Sequence, residues 1–198
     1  MDVTVILTAL VAAVVGYGIG AINPAALVSR ARHIDLRTVG SGNPGATNVG
    51  RAMGPRWGVF VGLLDILKGF VPAFAFTLIV GQTAGEVAGV AAVLGHVTSP
   101  FLRGRGGKGV ATTLGAILGT LPLVAIPVLI GFGIGLLIWR RVGLGAALGA
   151  VVLGLSGILG LVFGWFDVPD AIFCIALATL VLARHRSNVT TVWKQLPD

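Results

Sequence analysis

Charge is what this 198-residue chain has least of. Only 11% of its residues are Asp, Glu, Lys or Arg, against 56% hydrophobic, and just seven are acidic. So little polar surface excludes a soluble domain, which has a whole exterior to present to water. Cysteine is nearly absent too: the lone Cys174 lies inside an apolar run, carries no information about disulfides, and reads as a packing residue. No Cys, His and Asp set has metal-ligand spacing, so neither a metal nor another cofactor is expected. No basic stretch precedes the first apolar segment, which is also too long for a signal-peptide core; it reads as a mature helix. No internal repeat or soluble insert appears, so residues 1–198 read as a single polytopic membrane domain.

What the chain has instead is hydrocarbon-compatible length. Its mean hydropathy is +0.98 and it holds 31 glycines. Crossing a bilayer takes about 20 apolar residues, and such segments recur at 3–23, 58–80, 84–101, 108–120, 121–139, 143–164 and 168–184. The expected fold class is an all-α integral membrane protein with seven transmembrane helices, its N-terminus outside and its C-terminus cytoplasmic. The break at Gly119-Thr120-Leu121-Pro122 is decided by charge. With seven spans Arg30, Arg32, Arg37, Arg51, Arg56, Arg103, Arg105, Lys108, Arg140, Arg141, Arg184, Arg186 and Lys194 share the cytoplasmic side, and the outer connections hold no base. With six, the last five of these move outside, against the positive-inside bias. The net charge of +7 therefore reads as topology, and no nucleic-acid partner is expected. Trp57, Trp139, Trp165 and Trp193 sit at span ends, where amphipathic rings favour the headgroup level. Glycines in GFGIGLL and GLGAALGAVVLG read as close helix packing.

Three polar clusters share the cytoplasmic side. In VGSGNPGATNVGR (39–51), Asn43 before Pro44 reads as an N-cap with Pro at the first helical position, opening a short helix at Ala46, Thr47 and Asn48. Its N–H groups, with Ser41, Asn43 and Thr47 beside them, suit an anion that Arg51 can grip with a bidentate fork. The run also satisfies G-x-G-x-x-G, but with no preceding strand a dinucleotide site is rejected. In FLRGRGGKGVATT (101–113), Arg103, Arg105 and Lys108 stand among four glycines with no acid. Gly106, Gly107 and Gly109 let backbone N–H groups approach a phosphate, Lys108 adds a point charge, and Val110–Thr113 with Thr112 begins a helix whose positive end faces the same anion. The plainer alternative is a loop touching anionic lipid headgroups.

The third cluster, ARHRSNV (183–189), closes the last helix. Arg184 and Arg186 complement a helix C-terminus, while His185 and Asn188 stand one turn apart on one face. His96 reads equally as a core histidine or as a support for the Lys108 loop. Asp65 and Lys68, at i and i+3 within the second span, carry charges that cost about 2.5–3.5 kcal/mol each in hydrocarbon. They read as a supporting pair.

Taken together, GSGNPGATN with Arg51, LDILKG at 64–69, GH at 95–96 with GGKGVAT at 106–112, and RHRSN at 184–188 resemble the signature set of the acyl-phosphate-dependent glycerol-3-phosphate acyltransferases of bacteria. The sequence departs from that pattern at Val97-Thr98-Ser99-Pro100, where an aromatic-proline pair is usual, at Gly104 and at Gly50. The resemblance implies seven transmembrane helices in the bacterial inner (plasma) membrane, with the active site at the cytoplasmic face. It implies transfer of a fatty acyl group from acyl phosphate to the 1-hydroxyl of glycerol 3-phosphate, giving lysophosphatidic acid and phosphate. Its partners would be these two substrates and membrane lipid, and a monomer is expected. Lys108, His185 and Arg51 would be catalytic. Ser41, Asn43, Thr47, His96, Gly106, Gly107, Gly109, Thr112 and Asn188 would bind substrate. The proton of the attacking hydroxyl would pass to the departing phosphate or to His185, with no acyl-enzyme. Two other readings are kept: a transporter of phosphorylated metabolites, whose cue would be ionisable residues in several spans, and an acyltransferase fed by acyl-CoA or by acyl carrier protein docking on Arg30, Arg32, Arg37 and Arg140.

Overall fold

The computed structural model describes the backbone of residues 2–193 and the side chains of residues 2–186. Asn188, Trp193 and Lys194 therefore lie outside the described side chains. Among the described residues there are helices and no strands. The chain divides into two compact units, Met1–Thr120 and Leu121–Asp198.

The first unit holds α1 (Val3–Ala21), α2 (Pro24–Ala31), α3 (Ala46–Met53), α4 (Pro55–Ile79), α5 (Gln82–Thr98) and α6 (Val110–Thr120). Within it α1 packs on α5, α4 on α6, and α4 on α5 and α3. Its interior is built from small residues, while Leu7, Leu10, Val14, Leu63, Leu67 and Leu78 point outward. That is the distribution expected where lipid, not water, surrounds the bundle and close backbone approach supplies the cohesion. Gly20 shows the tightness: a Cβ there would overlap the carbonyl oxygen of Ala92 on α5.

The second unit holds α7 (Ala125–Trp139), α8 (Val142–Val162) and α9 (Val168–Trp193), with α8 packed on both neighbours. Cys174 is fully buried on α9, where its Cβ leaves no room for a side chain at Gly157. Its role here is packing.

Among the described residues, six helical stretches are long and apolar enough to cross a membrane: Val3–Ala31, Pro55–Ile79, Gln82–Leu102, Pro122–Trp139, Val142–Val162 and Val168–Arg186. The expected fourth span is shorter. α6 has 11 residues, about 16 Å of helix against about 30 Å of hydrocarbon. Its start is fixed by Gly109, whose φ of +83° no helical residue adopts. Other boundaries move for equally local reasons. The first segment ends at Ala21 because Asn23 caps a new helix with Pro24 behind it. α4 begins at Pro55, directly after Gly54 at φ +96°. α5 stops at Thr98 because Pro100 bars helical geometry at Ser99. α9 runs on to Trp193, so Arg184 and Arg186 do not sit in its last turn. The expectation that they complement a helix terminus is thereby corrected.

Candidate active site

The loop between α2 and α3 is organised by one side chain. Asn48, in the first turn of α3 and 1% exposed, donates through Nδ2 to the carbonyls of Leu36 (3.0 Å) and Val39 (3.0 Å). Its Oδ1 accepts the N–H of Ser41 (3.0 Å). A single buried amide thus satisfies three backbone groups. The loop needs glycine beside it: Gly40 has φ +57°, and a Cβ there would overlap Asn48 Oδ1. Arg51 lies almost one helical turn after Asn48, and its Cδ would be 3.6 Å from that Cβ. Ser41 and Arg51 are therefore brought together, both exposed, on one rigid support. Thr47 is also exposed, while Asn43 is partly buried.

The expected cap at Asn43 is not what forms. α3 begins at Ala46 with Gly45 at the N-cap and no side-chain capping bond. The physical reason lies in Asn23, whose Nδ2 donates to the carbonyl of Pro44 (3.2 Å), while Gly45 N–H turns back to the carbonyl of Asn43 (3.0 Å). Pro44 is thus held outside the helix. The other Asn-Pro pair does what the rule says: Asn23 Oδ1 caps the N–H of Ala26 (2.8 Å) ahead of a helix with Pro24 at its start.

The loop between α5 and α6 is organised by backbone. Pro100–Leu102 makes one 3-10 turn, after which Arg103 (φ +52°) and Gly104 (φ +74°) reverse the chain. Gly106 N–H then donates to the carbonyl of Val97 (3.0 Å) and Gly107 N–H to that of His96 (3.2 Å). These bonds satisfy carbonyls left open at the end of α5. A Cβ at Gly106 would overlap the His96 carbonyl oxygen, and one at Gly107 would overlap His96 Nε2. The expectation that these two N–H groups cradle a phosphate is corrected: both donate to the fold. What the glycines secure is the position of Lys108, which follows them and is half-buried. Gly109, buried, turns the chain into α6.

Beneath this loop lies a buried ionic group. Asp65 Oδ1 is 3.0 Å from Lys68 Nζ and 3.4 Å from His96 Nδ1, and all three residues are buried. Lys68 Nζ also donates to the carbonyl of Ile22 (2.7 Å), and Ser99 Oγ donates to that of Ala21 (2.6 Å). The C-terminal carbonyls of α1, orphaned by the break at Asn23, are satisfied from α4 and from the end of α5. His96 is thus both a core histidine and a neighbour of the glycine loop. Thr112, fully buried in the first turn of α6, lays its carbonyl oxygen where a Cβ of Gly69 would stand.

Arg37 connects the two loops. Its guanidinium donates to the carbonyl of Gly42 (3.4 Å) and to that of Arg105. Ser41 and Lys108 accordingly belong to one stitched surface of the first unit. In the second unit His185 is 2% exposed, and its Nδ1 is 2.8 Å from the carbonyl of Val181. A carbonyl only accepts, so Nδ1 carries the proton in this contact. Among the described residues no three His, Cys, Asp or Glu side chains converge as metal ligands do.

Sequence reasoning missed four organising residues. Asn23 was legible as a second Asn-Pro cap. Asn48 was noticed only as part of a helix start, and Arg37 only as a cation. Ser99 carried no signal beyond its departure from the usual pattern.

The chain matches the family described as "Glycerol-3-phosphate acyltransferase" over residues 10–195. The glycerol-3-phosphate acyltransferase of Aquifex aeolicus (strain VF5) is 36% identical over 183 residues, covering 91% of this chain and 93% of that one. The glycerol-3-phosphate acyltransferase 1 of Deinococcus radiodurans is 41% identical over 185 residues, covering 92% and 91%. The crystal structure of PlsY (YgiH), an integral membrane glycerol 3-phosphate acyltransferase in its glycerol 3-phosphate form, is similar with a TM-score of 0.87 at 34% identity, covering 94% of this chain and 92% of that one. Its lysophosphatidic acid form gives 0.84 at 33% identity, with the same coverage.

Proposed function

This chain belongs to the glycerol-3-phosphate acyltransferase family, and from that premise we propose that it transfers a fatty acyl group from acyl phosphate to the 1-hydroxyl of glycerol 3-phosphate. The observation that carries the reading is the stitched pair of loops: Ser41 and Arg51 on one, Lys108 on the other, joined by Arg37 within an apolar bundle. Two phosphate-bearing substrates, one with a lipid tail, need such a combination of cations and grease.

In the reaction the hydroxyl oxygen attacks the acyl carbonyl carbon and the bond to the phosphate oxygen breaks. The proton goes to the departing phosphate or to His185, and lysophosphatidic acid and phosphate result. A mixed anhydride has a good leaving group, so positioning and charge stabilisation carry the rate. Lys108 faces the acyl phosphate or the developing oxyanion, with Gly109 and Thr112 at the start of α6. Ser41, Asn43, Thr47 and Arg51 hold glycerol 3-phosphate; in the second unit, His185 and Asn188 on α9 are assigned substrate roles of their own. Gly106, Gly107 and His96 hold the Lys108 loop.

We further place the active site on the cytoplasmic face of the bacterial inner membrane, in one monomeric domain of seven crossings, with α6 the short one. The distribution of bases supports this parity, since six crossings would put Arg140, Arg141 and Arg184 outside. The test is phosphate release by the purified protein given palmitoyl phosphate with and without glycerol 3-phosphate, beside palmitoyl-CoA. Release that needs both substrates and yields lysophosphatidic acid is expected, and Lys108→Met should abolish it in a folded protein. Turnover with the thioester alone would overturn the donor.

A further inference from the structure

Beside the stitched loops lies an open groove of about 830 Å³ that the reaction does not use. Its walls carry Arg30, His33, Arg37, Arg103 and Arg105, with Asp35 the one acid among the lining residues. The Asp35 carboxylate already accepts the N–H of Arg37 (2.9 Å), so it is directed at its own loop. Ser29 and apolar residues complete the lining, among them Phe101, which is 66% exposed.

The level of this groove follows from the helices. One wall is Ala26, Ser29 and Arg30 on α2, just past the end of α1 at Ala21; the other is Phe101 and Leu102, the end of the apolar stretch Gln82–Leu102. Where two spans run out, hydrocarbon gives way to headgroups. An arginine cluster with an exposed phenylalanine at that depth matches one chemistry: a phosphate on an apolar tail. We propose that the groove binds the phosphate headgroup of an anionic phospholipid of the surrounding bilayer, with an acyl chain lying along Phe101. Occupancy bears on catalysis through Arg37, which lines the groove and holds the carbonyls of Gly42, next to Ser41, and of Arg105, three residues before Lys108. A bound headgroup braces both loops from outside.

The experiment is native mass spectrometry of the intact protein with phosphatidylglycerol or phosphatidylcholine added to the detergent. Wild type should retain one phosphatidylglycerol in preference to phosphatidylcholine. Arg30→Gln and Arg103→Gln should each weaken retention about fivefold, the equivalent of about 1 kcal/mol per arginine near a membrane surface. Arg30→Lys and Arg103→Lys should keep most of it. Turnover in phosphatidylcholine nanodiscs should be the same in wild type and both Gln variants, which shows that they fold, while phosphatidylglycerol nanodiscs should raise turnover in wild type alone. Equal retention of the two lipids by wild type, or undiminished retention by both Gln variants, overturns the site. Loss of bound phosphatidylglycerol on adding millimolar inorganic phosphate would assign the groove to free phosphate and overturn the lipid. The retention measurement needs no substrate, so it stands apart from the identity of the acyl donor.

Discussion

The two loops that meet at Arg37 are built by opposite means. The 36–45 loop is held chiefly by a side chain, the Asn48 amide. The 100–109 loop is held mainly by main chain on main chain, with glycines pressed against the end of α5 and the Arg37 guanidinium on the Arg105 carbonyl as its side-chain tie. The difference teaches what glycine does in each. Gly40 clears room for an amide, whereas Gly106 clears room for a helix end. A glycine-rich, cationic stretch is thus no proof that its N–H groups face a phosphate.

The comparison can be broken at its base first. Asp65→Ala removes the countercharge of Lys68 and the partner of His96 under the second loop. Leaving one buried charge unpaired costs about 3–5 kcal/mol, so melting in detergent should fall steeply, and adding Lys68→Met should recover part of the loss. An unchanged melting temperature for the single variant would mean that the buried group does not support the loop.

Gly106→Ala comes next. Its Cβ meets backbone that cannot swing aside, and overpacking of this kind costs about 1–3 kcal/mol. Turnover should drop sharply as Lys108 is displaced. Gly104→Ala is the control: nothing lies within 4 Å of its Cβ position, and only the φ of +74° resists, at a cost of about 1 kcal/mol. Equal losses in the two variants would show that backbone strain, not contact with α5, sets the loop.

Asn48→Ala acts on the other loop. One buried carbonyl, of Leu36, and one partly buried carbonyl, of Val39, lose their donor, at about 1–3 kcal/mol, and Ser41 is loosened. The Michaelis constant for glycerol 3-phosphate should rise about tenfold, the equivalent of about 1.4 kcal/mol, with that for acyl phosphate little changed. A rise confined to acyl phosphate would exchange the roles of the loops. The smallest effect separates the two Asn-Pro pairs: Asn23→Ala should lower stability by about 1 kcal/mol as a lost cap, and Asn43→Ala by less than about 0.5 kcal/mol.

Much of this was readable beforehand, because lipid imposes a coarse rule. The apolar stretches follow from length and composition and the break near Pro122 from the placement of charge, and the motif residues are contiguous, so local chemistry points to Ser41, Arg51 and Lys108 as candidates. The boundaries were less legible, since Asn23, Gly54, Gly109 and Pro100 stop helices by details that a hydropathy window averages away. The roles of the glycines were misread for a different reason. Whether Gly106 N–H faces a phosphate or the carbonyl of Val97 depends on which helix end lies beneath it, and no spacing in the sequence states that.

The sequence by itself determined that this chain is a helical membrane protein with its cations gathered in a few connections, because burying apolar length and keeping charge out of hydrocarbon need no partner to be decided. Only the tertiary structure decided that Lys68 pairs across to His96 through Asp65, that Asn48 carries a loop, and that Arg37 ties two of them. Those contacts join residues as far apart as Arg37 and Arg105, and a contact between distant residues exists only once the helices between them have packed.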